Sequence, residues 1–133
     1  MEPTTQKNYS ILLVDDDRFL LDMYTLKFKN EGHTVEAIPD PNLALEKLRK
    51  GFLPNIILLD VVMPGVSGFE LLEIIKKENL AKGAVIVMLT NQGLQEDIDK
   101  GMKFGASGYI IKASSIPSEV LQKTLAIAAT QLT

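Results

Sequence analysis

The chain has 133 residues, 46% of them apolar and 23% charged, with no cysteine, one histidine and a formal net charge of −3. That length suits one domain of ~100–150 residues, with a core large enough to fold without a disulfide or structural metal. The composition excludes thiol chemistry, zinc ribbons and iron–sulfur clusters, and leaves no material for a Ser-His-Asp triad or a multi-histidine metal site.

The mild acidity speaks against direct contact with nucleic acid, which calls for a basic face. No apolar run reaches the ~20 residues of a membrane span. Residues Met1–Ser10 lack the apolar centre of a signal peptide. The expectation is a cytoplasmic domain, not inserted in a membrane, whose chemistry rests on oxygen ligands and lysine.

Along the chain, residues 1–8 are polar and are expected to form a flexible tail ahead of a domain spanning 9–132. Ile11–Val14, Ile56–Leu59, Ala84–Leu89 and Tyr109–Ile111 are short apolar runs without hydrophobic–polar alternation. Strands covered on both faces of a parallel sheet read this way. A fifth strand over His33–Ile38 mixes Thr34 and Glu36 with apolar residues, as an edge strand does. Helical spacing follows each strand. Leu20, Tyr24 and Phe28 precede Gly32; Ala44 and Leu48 precede Gly51; Gly68, Leu71, Leu72 and Ile75 share a face. Ile98, Met102 and Gly105 define a shorter helix, and Leu121, Leu125, Ala128 and Leu132 the last. Five strand–helix units make an α/β fold with a doubly wound parallel sheet, helices on both faces. They use the whole length, so this chain is expected to carry no output domain of its own.

In such sheets ligands bind beyond the carboxyl ends of the strands. Asp15, Asp16 and Asp17 follow the first strand, Asp60 ends the third, Thr90 the fourth and Lys112 the fifth. Singly, each has an ordinary explanation: Asp17 or Ser114 can cap a helix. Together they gather carboxylates, a hydroxyl and an ammonium on one edge. Clustered carboxylates raise one another's pKa unless a cation compensates, and one lysine is too little. All-oxygen ligation with vacant positions suits Mg²⁺ (or Mn²⁺), and points to metal-assisted phosphoryl transfer with a carboxylate as nucleophile. His33, without a partner, reads as a surface residue.

The segments Ile11-Leu-Leu-Val-Asp-Asp-Asp17, Leu58-Leu-Asp-Val-Val-Met-Pro-Gly65, Leu89-Thr90 and Gly105-Ala-Ser-Gly-Tyr-Ile-Ile-Lys112 closely resemble, in order and spacing, the receiver domain of bacterial response regulators. The resemblance implies a flavodoxin-like (βα)5 fold with strand order 2-1-3-4-5. It further implies Asp60 as phosphoacceptor for a sensor histidine kinase or phosphotransfer protein. Mg²⁺ would be held by Asp15, Asp16, Asp60 and the Val62 backbone carbonyl, Asp16 directly and Asp15 largely through water. Thr90, Lys112 and Tyr109 would bind or sense the phosphoryl group, Tyr109 turning inward as Thr90 moves. Val62, Asn91 and Gln92 would tune the rates, Val62 favouring slow autodephosphorylation. The chain would thus be a signalling domain and not an enzyme in the ordinary sense. A downstream protein would dock on the face formed by helix four, strand five and helix five, with a phosphorylation-dependent homodimer left open.

Ala113 stands where the family usually has a proline preceded by a cis bond, and this bond is expected to be trans. Two alternatives compete with this reading. A pseudo-receiver would keep the fold as a constitutive docking module. A haloacid-dehalogenase-like phosphatase would use the Asp15-Asp16-Asp17 spacing, but Phe19 and the single Glu119 after Lys112 do not match that family's pattern.

Overall fold

In the computed structural model, which describes residues 8–91, 94–112 and 115–132, five strands alternate with five helices. They run β1 (Ser10–Val14), α1 (Arg18–Asn30), β2 (Thr34–Ile38), α2 (Pro41–Arg49), β3 (Ile56–Asp60), α3 (Gly68–Lys77), β4 (Val85–Thr90), α4 (Gln95–Lys103), β5 (Gly108–Ile111) and α5 (Pro117–Gln131). All neighbouring strands pair in parallel, in the order β2-β1-β3-β4-β5. This is the flavodoxin-like arrangement, with β2 at an edge as its mixed sequence implied.

The unbroken apolar runs are explained by burial on both faces. Alternate residues of each strand enter two separate cores. Leu12, Val14, Ile57, Leu59, Ile86 and Met88 pack toward α2 and α3, while Ile11, Leu13, Ile56, Leu58, Val85 and Val87 pack toward α1 and α5. Burying each such side chain is worth ~1.5–3 kcal/mol, so the central strands anchor the carboxyl edge of the sheet.

Local signals place the helices. Asp17 accepts from the backbone N–H of Phe19 and Leu20 and caps α1, as its position implied. Ser67 and Glu70 form a reciprocal capping box at α3. Gly68 then lies against the end of β3: a Cβ there would stand 2.2 Å from the Asp60 carbonyl oxygen. The Gly68 N–H donates to the Val61 carbonyl at 2.8 Å. Only a residue without a side chain lets α3 start so close to Asp60.

Three sequence expectations need correction. His33 is not a surface residue. It is buried, its Nδ1 accepts from the Tyr9 N–H at 3.0 Å, and its ring stacks on Tyr9 and meets the edge of Phe28. Its hydrogen-bond partner comes from the segment leading into β1, 24 positions away, so nothing near it in sequence announces that bond. The buried face of α4 is not Ile98, Met102 and Gly105 either. Gly101 is its one buried residue and Met102 is half exposed, because the helix packs through a small residue that makes room for Tyr109. In α5 the buried residues are Val120, Leu121, Thr124 and Ala128, with Thr124 satisfied by donating to the Val120 carbonyl at 2.7 Å.

Candidate functional site

The topology brings the strand-end polar residues together. Asp15 directly follows β1, Asp60 closes β3, Thr90 closes β4 and Lys112 directly follows β5. Asp15, Asp60 and Thr90 are buried, while Asp16 is exposed. Lys112 Nζ lies 3.1 Å from both an Asp15 and an Asp60 carboxylate oxygen, its side chain nearly buried. The other Asp15 oxygen accepts from the Asp17 N–H at 3.0 Å. Both Asp15 oxygens are therefore engaged, whereas Asp16 points its carboxylate to solvent.

One ammonium faces three carboxylates, and the electrostatics show the imbalance. Burial, then the nearby Asp15 carboxylate, push the Asp60 pKa up to about 7 against the pull of Lys112, with Asp16 adding to the rise. Burial disfavours the charge on Lys112, but Asp15 and Asp60 outweigh it and raise its pKa, so the lysine stays charged. Tyr24 of α1, also buried, is near enough to feel Lys112, Asp15 and Asp60.

Asp15, Asp16 and Asp60 can each offer a carboxylate oxygen such that all three atoms lie within 4.8 Å of one another. An all-carboxylate set with excess negative charge and an exposed member fits a small hard divalent cation. Val62, two residues beyond Asp60, is 73% exposed. Val61, Val62, Thr90, Asn91 and Asp97 line a cavity of about 270 Å³ beside Asp60. Gln92, Ala113 and Ser114, to which sequence reasoning gave tuning, backbone and capping roles, lie outside the described residues.

Tyr109, in the middle of β5, already faces inward. Its ring is packed against Gly101 of α4, where a Cβ would meet the ring at 3.3 Å, beside Met88 and Phe69. The hydroxyl oxygen is buried without a well-formed hydrogen bond. Burial raises its pKa, with Thr90 close enough to oppose the rise and Asp97 adding to it. Sequence reading placed Gly68 on a helix face without seeing its contact with the Asp60 backbone, and it missed Asp97, whose approach to the cavity depends on how α4 packs.

Comparisons with known proteins agree with this geometry. The family model described as the response regulator receiver domain matches residues 11–125. The DNA-binding response regulator MtrA of Mycobacterium tuberculosis (strain ATCC 25618 / H37Rv) is 34% identical over 116 residues, 87% of this chain and 49% of that protein. The phosphate regulon transcriptional regulatory protein PhoB of Escherichia coli (strain K12) is 32% identical over 117 residues, 88% of this chain and 50% of that protein. The chain thus spans about half the length of these relatives. Among solved structures, the chemotaxis response regulator CheY4 of Vibrio cholerae superposes with a TM-score of 0.82 at 28% identity, covering 91% of this chain and 99% of the other. A CheY-like receiver domain protein from Methanospirillum hungatei JF-1 gives 0.82 at 30% identity, covering 94% and 97%. The chain belongs to the response regulator receiver domain family of two-component signalling.

Proposed function

We propose that residues 9–132 form a phosphoacceptor unit that takes a phosphoryl group onto Asp60 from a phosphohistidine of a sensor kinase or phosphotransfer protein. The observation that carries this reading is the Asp60–Lys112–Asp15 arrangement: a buried carboxylate at a strand end, held by an ammonium at 3.1 Å. The P–N bond to the imidazole breaks as a P–O bond to Asp60 forms. Lys112 already contacts an Asp60 oxygen and is placed to pair with a phosphoryl oxygen.

Mg²⁺ or Mn²⁺, held by Asp16, Asp60, the Val62 carbonyl and, through water, Asp15, would supply neutralisation of the charge on the transferred group. Asp15 suits an indirect role because both its oxygens already accept hydrogen bonds. Thr90, buried at the end of β4, supplies a hydroxyl for the phosphoryl group. A hydrogen bond to that charge is worth ~1.5–3 kcal/mol, enough to shift a population between two arrangements of the Thr90–Tyr109 region. The α4–β5–α5 face would then present the state to a downstream protein. Val62 has no polar group to orient an attacking water, which favours slow loss of the phosphoryl group.

Labelling with acetyl phosphate, followed by intact-protein mass, tests the reading. The parent should gain one phosphoryl group in the presence of Mg²⁺ and none in chelator, and Asp60→Asn should gain none. Full labelling of Asp60→Asn would remove Asp60 from the role; labelling in chelator would remove the metal.

A further inference from the structure

Among the described residues that line the cavity next to Val61 and Val62, Asp97 is the charged one, and phosphoryl transfer as described above does not use it. Asp97 stands in the first turn of α4 and lines the cavity together with Val62, Thr90 and Asn91. It is half-buried, and among the described residues its carboxylate makes no ion pair or hydrogen bond; only its backbone N–H is engaged, with the Leu94 carbonyl. Lys100, three residues along the same helix, stands over the Phe69 ring at 4.9 Å. Lys112, at the far side of the site, is committed to Asp15 and Asp60. Asp97 therefore adds a negative charge to the wall of a cavity that Val61 and Val62, the two residues after Asp60, also line.

Resting on the phosphoacceptor reading, we infer that this cavity receives the leaving group of a phosphodonor and that Asp97 filters it by charge, setting this domain against small, highly anionic phosphodonors. A donor of higher negative charge is repelled more on entering the cavity, whereas a phosphohistidine brings a less anionic imidazole as its leaving group. The chemistry at Asp60 is the same for every donor. With acetyl phosphate, close to a dianion at neutral pH, the P–O bond breaks and acetate departs with the electron pair. With phosphoramidate, close to a monoanion, the P–N bond breaks and ammonia leaves after protonation. The two donors differ in leaving group as well as in charge, so the reading rests on how each donor's rate changes on substitution and not on the rates themselves.

The test compares labelling rates of the full chain in Mg²⁺ buffer with both donors, at low and high salt. Asp97→Asn should accelerate labelling by acetyl phosphate roughly three- to tenfold at low salt, the size expected for removing one unit charge near a dianion at effective dielectrics between protein surface and water. The gain with phosphoramidate should be clearly smaller, and the gap between donors should narrow as salt is added. Asp97→Glu, which keeps the charge, should hold the ratio of the two donors' rates at the parent value. Equal gains with both donors would assign Asp97 a structural role at the start of α4 and overturn the inference, as would no gain with either. A parent that neither donor labels would remove the phosphoacceptor reading and this inference with it.

Discussion

The two sides of the site are built to different standards. On the β1–β3 side the buried carboxylates are fixed: Asp15 accepts from Asp17 N–H and Lys112, Lys112 reaches across from the end of β5 to join Asp15 to Asp60, and Gly68 seats α3 against the Asp60 backbone. On the β4–β5 side, α4 buries only Gly101, its N-cap Leu94 offers no side-chain hydrogen bond, and the Tyr109 hydroxyl is buried without a well-formed partner. The first side has what chemistry needs, preorganised charge that does not move. On the second, α4 has one buried residue and an incomplete cap against a fully buried β4, which is what a helix of low local stability looks like. The difference suggests how one small domain can hold a reactive carboxylate still while a neighbouring helix responds.

The sharpest way to break the contrast is to damage the rigid side. Gly68→Ala places a Cβ where the Asp60 carbonyl stands, and should destabilise the fold by about 3 kcal/mol, at the upper end for overpacking. Urea unfolding would measure the loss, and a change of under about 1 kcal/mol would show that α3 can shift freely away from β3. The contrast can also be reduced from the other side. Leu94→Ser supplies the missing cap of α4 at a half-exposed position and should stabilise the protein by ~0.5–1 kcal/mol. Amide exchange in α4 should slow, while exchange in β1 and β3 stays as it was.

A smaller effect comes from His33, remote from both sides. Burial lowers its pKa below the ordinary 6.5, with Glu31 opposing, because the neutral ring must accept from the Tyr9 N–H. Below pH ~6.5 the unfolded chain binds a proton that the folded chain does not, so stability falls as pH drops from there through the lowered folded value. Melting at pH 7 and pH 5 should show this decline, and His33→Phe, with no proton to bind, should decline less.

Much of the architecture was legible in the sequence, because strands buried on both faces leave continuous apolar runs and Asp17 leaves a capping signal. The strand order came from resemblance, since periodicity carries no information on which strands are neighbours. The gathering of Asp15, Asp60, Thr90 and Lys112 was also legible, as polar residues that end apolar strands must share the sheet's carboxyl edge. What escaped depends on tertiary contact alone. His33 is buried by Tyr9 from another element, α4 packs through a glycine that no hydrophobic pattern marks, and Asp97 reaches the cavity only through the placement of that helix.

The central claim is that charge gained at the fixed side is felt on the loosely held one. Beryllium fluoride, which mimics a phosphoryl group on a carboxylate, allows this to be read by amide chemical shifts in Mg²⁺ buffer. The account predicts that Thr90, Tyr109 and the amides of α4 shift strongly, while the amides of β1 and of Ile56–Leu59 within β3 move little. Shifts confined to Asp60 and its immediate neighbours, with α4 and Tyr109 unmoved, would contradict it.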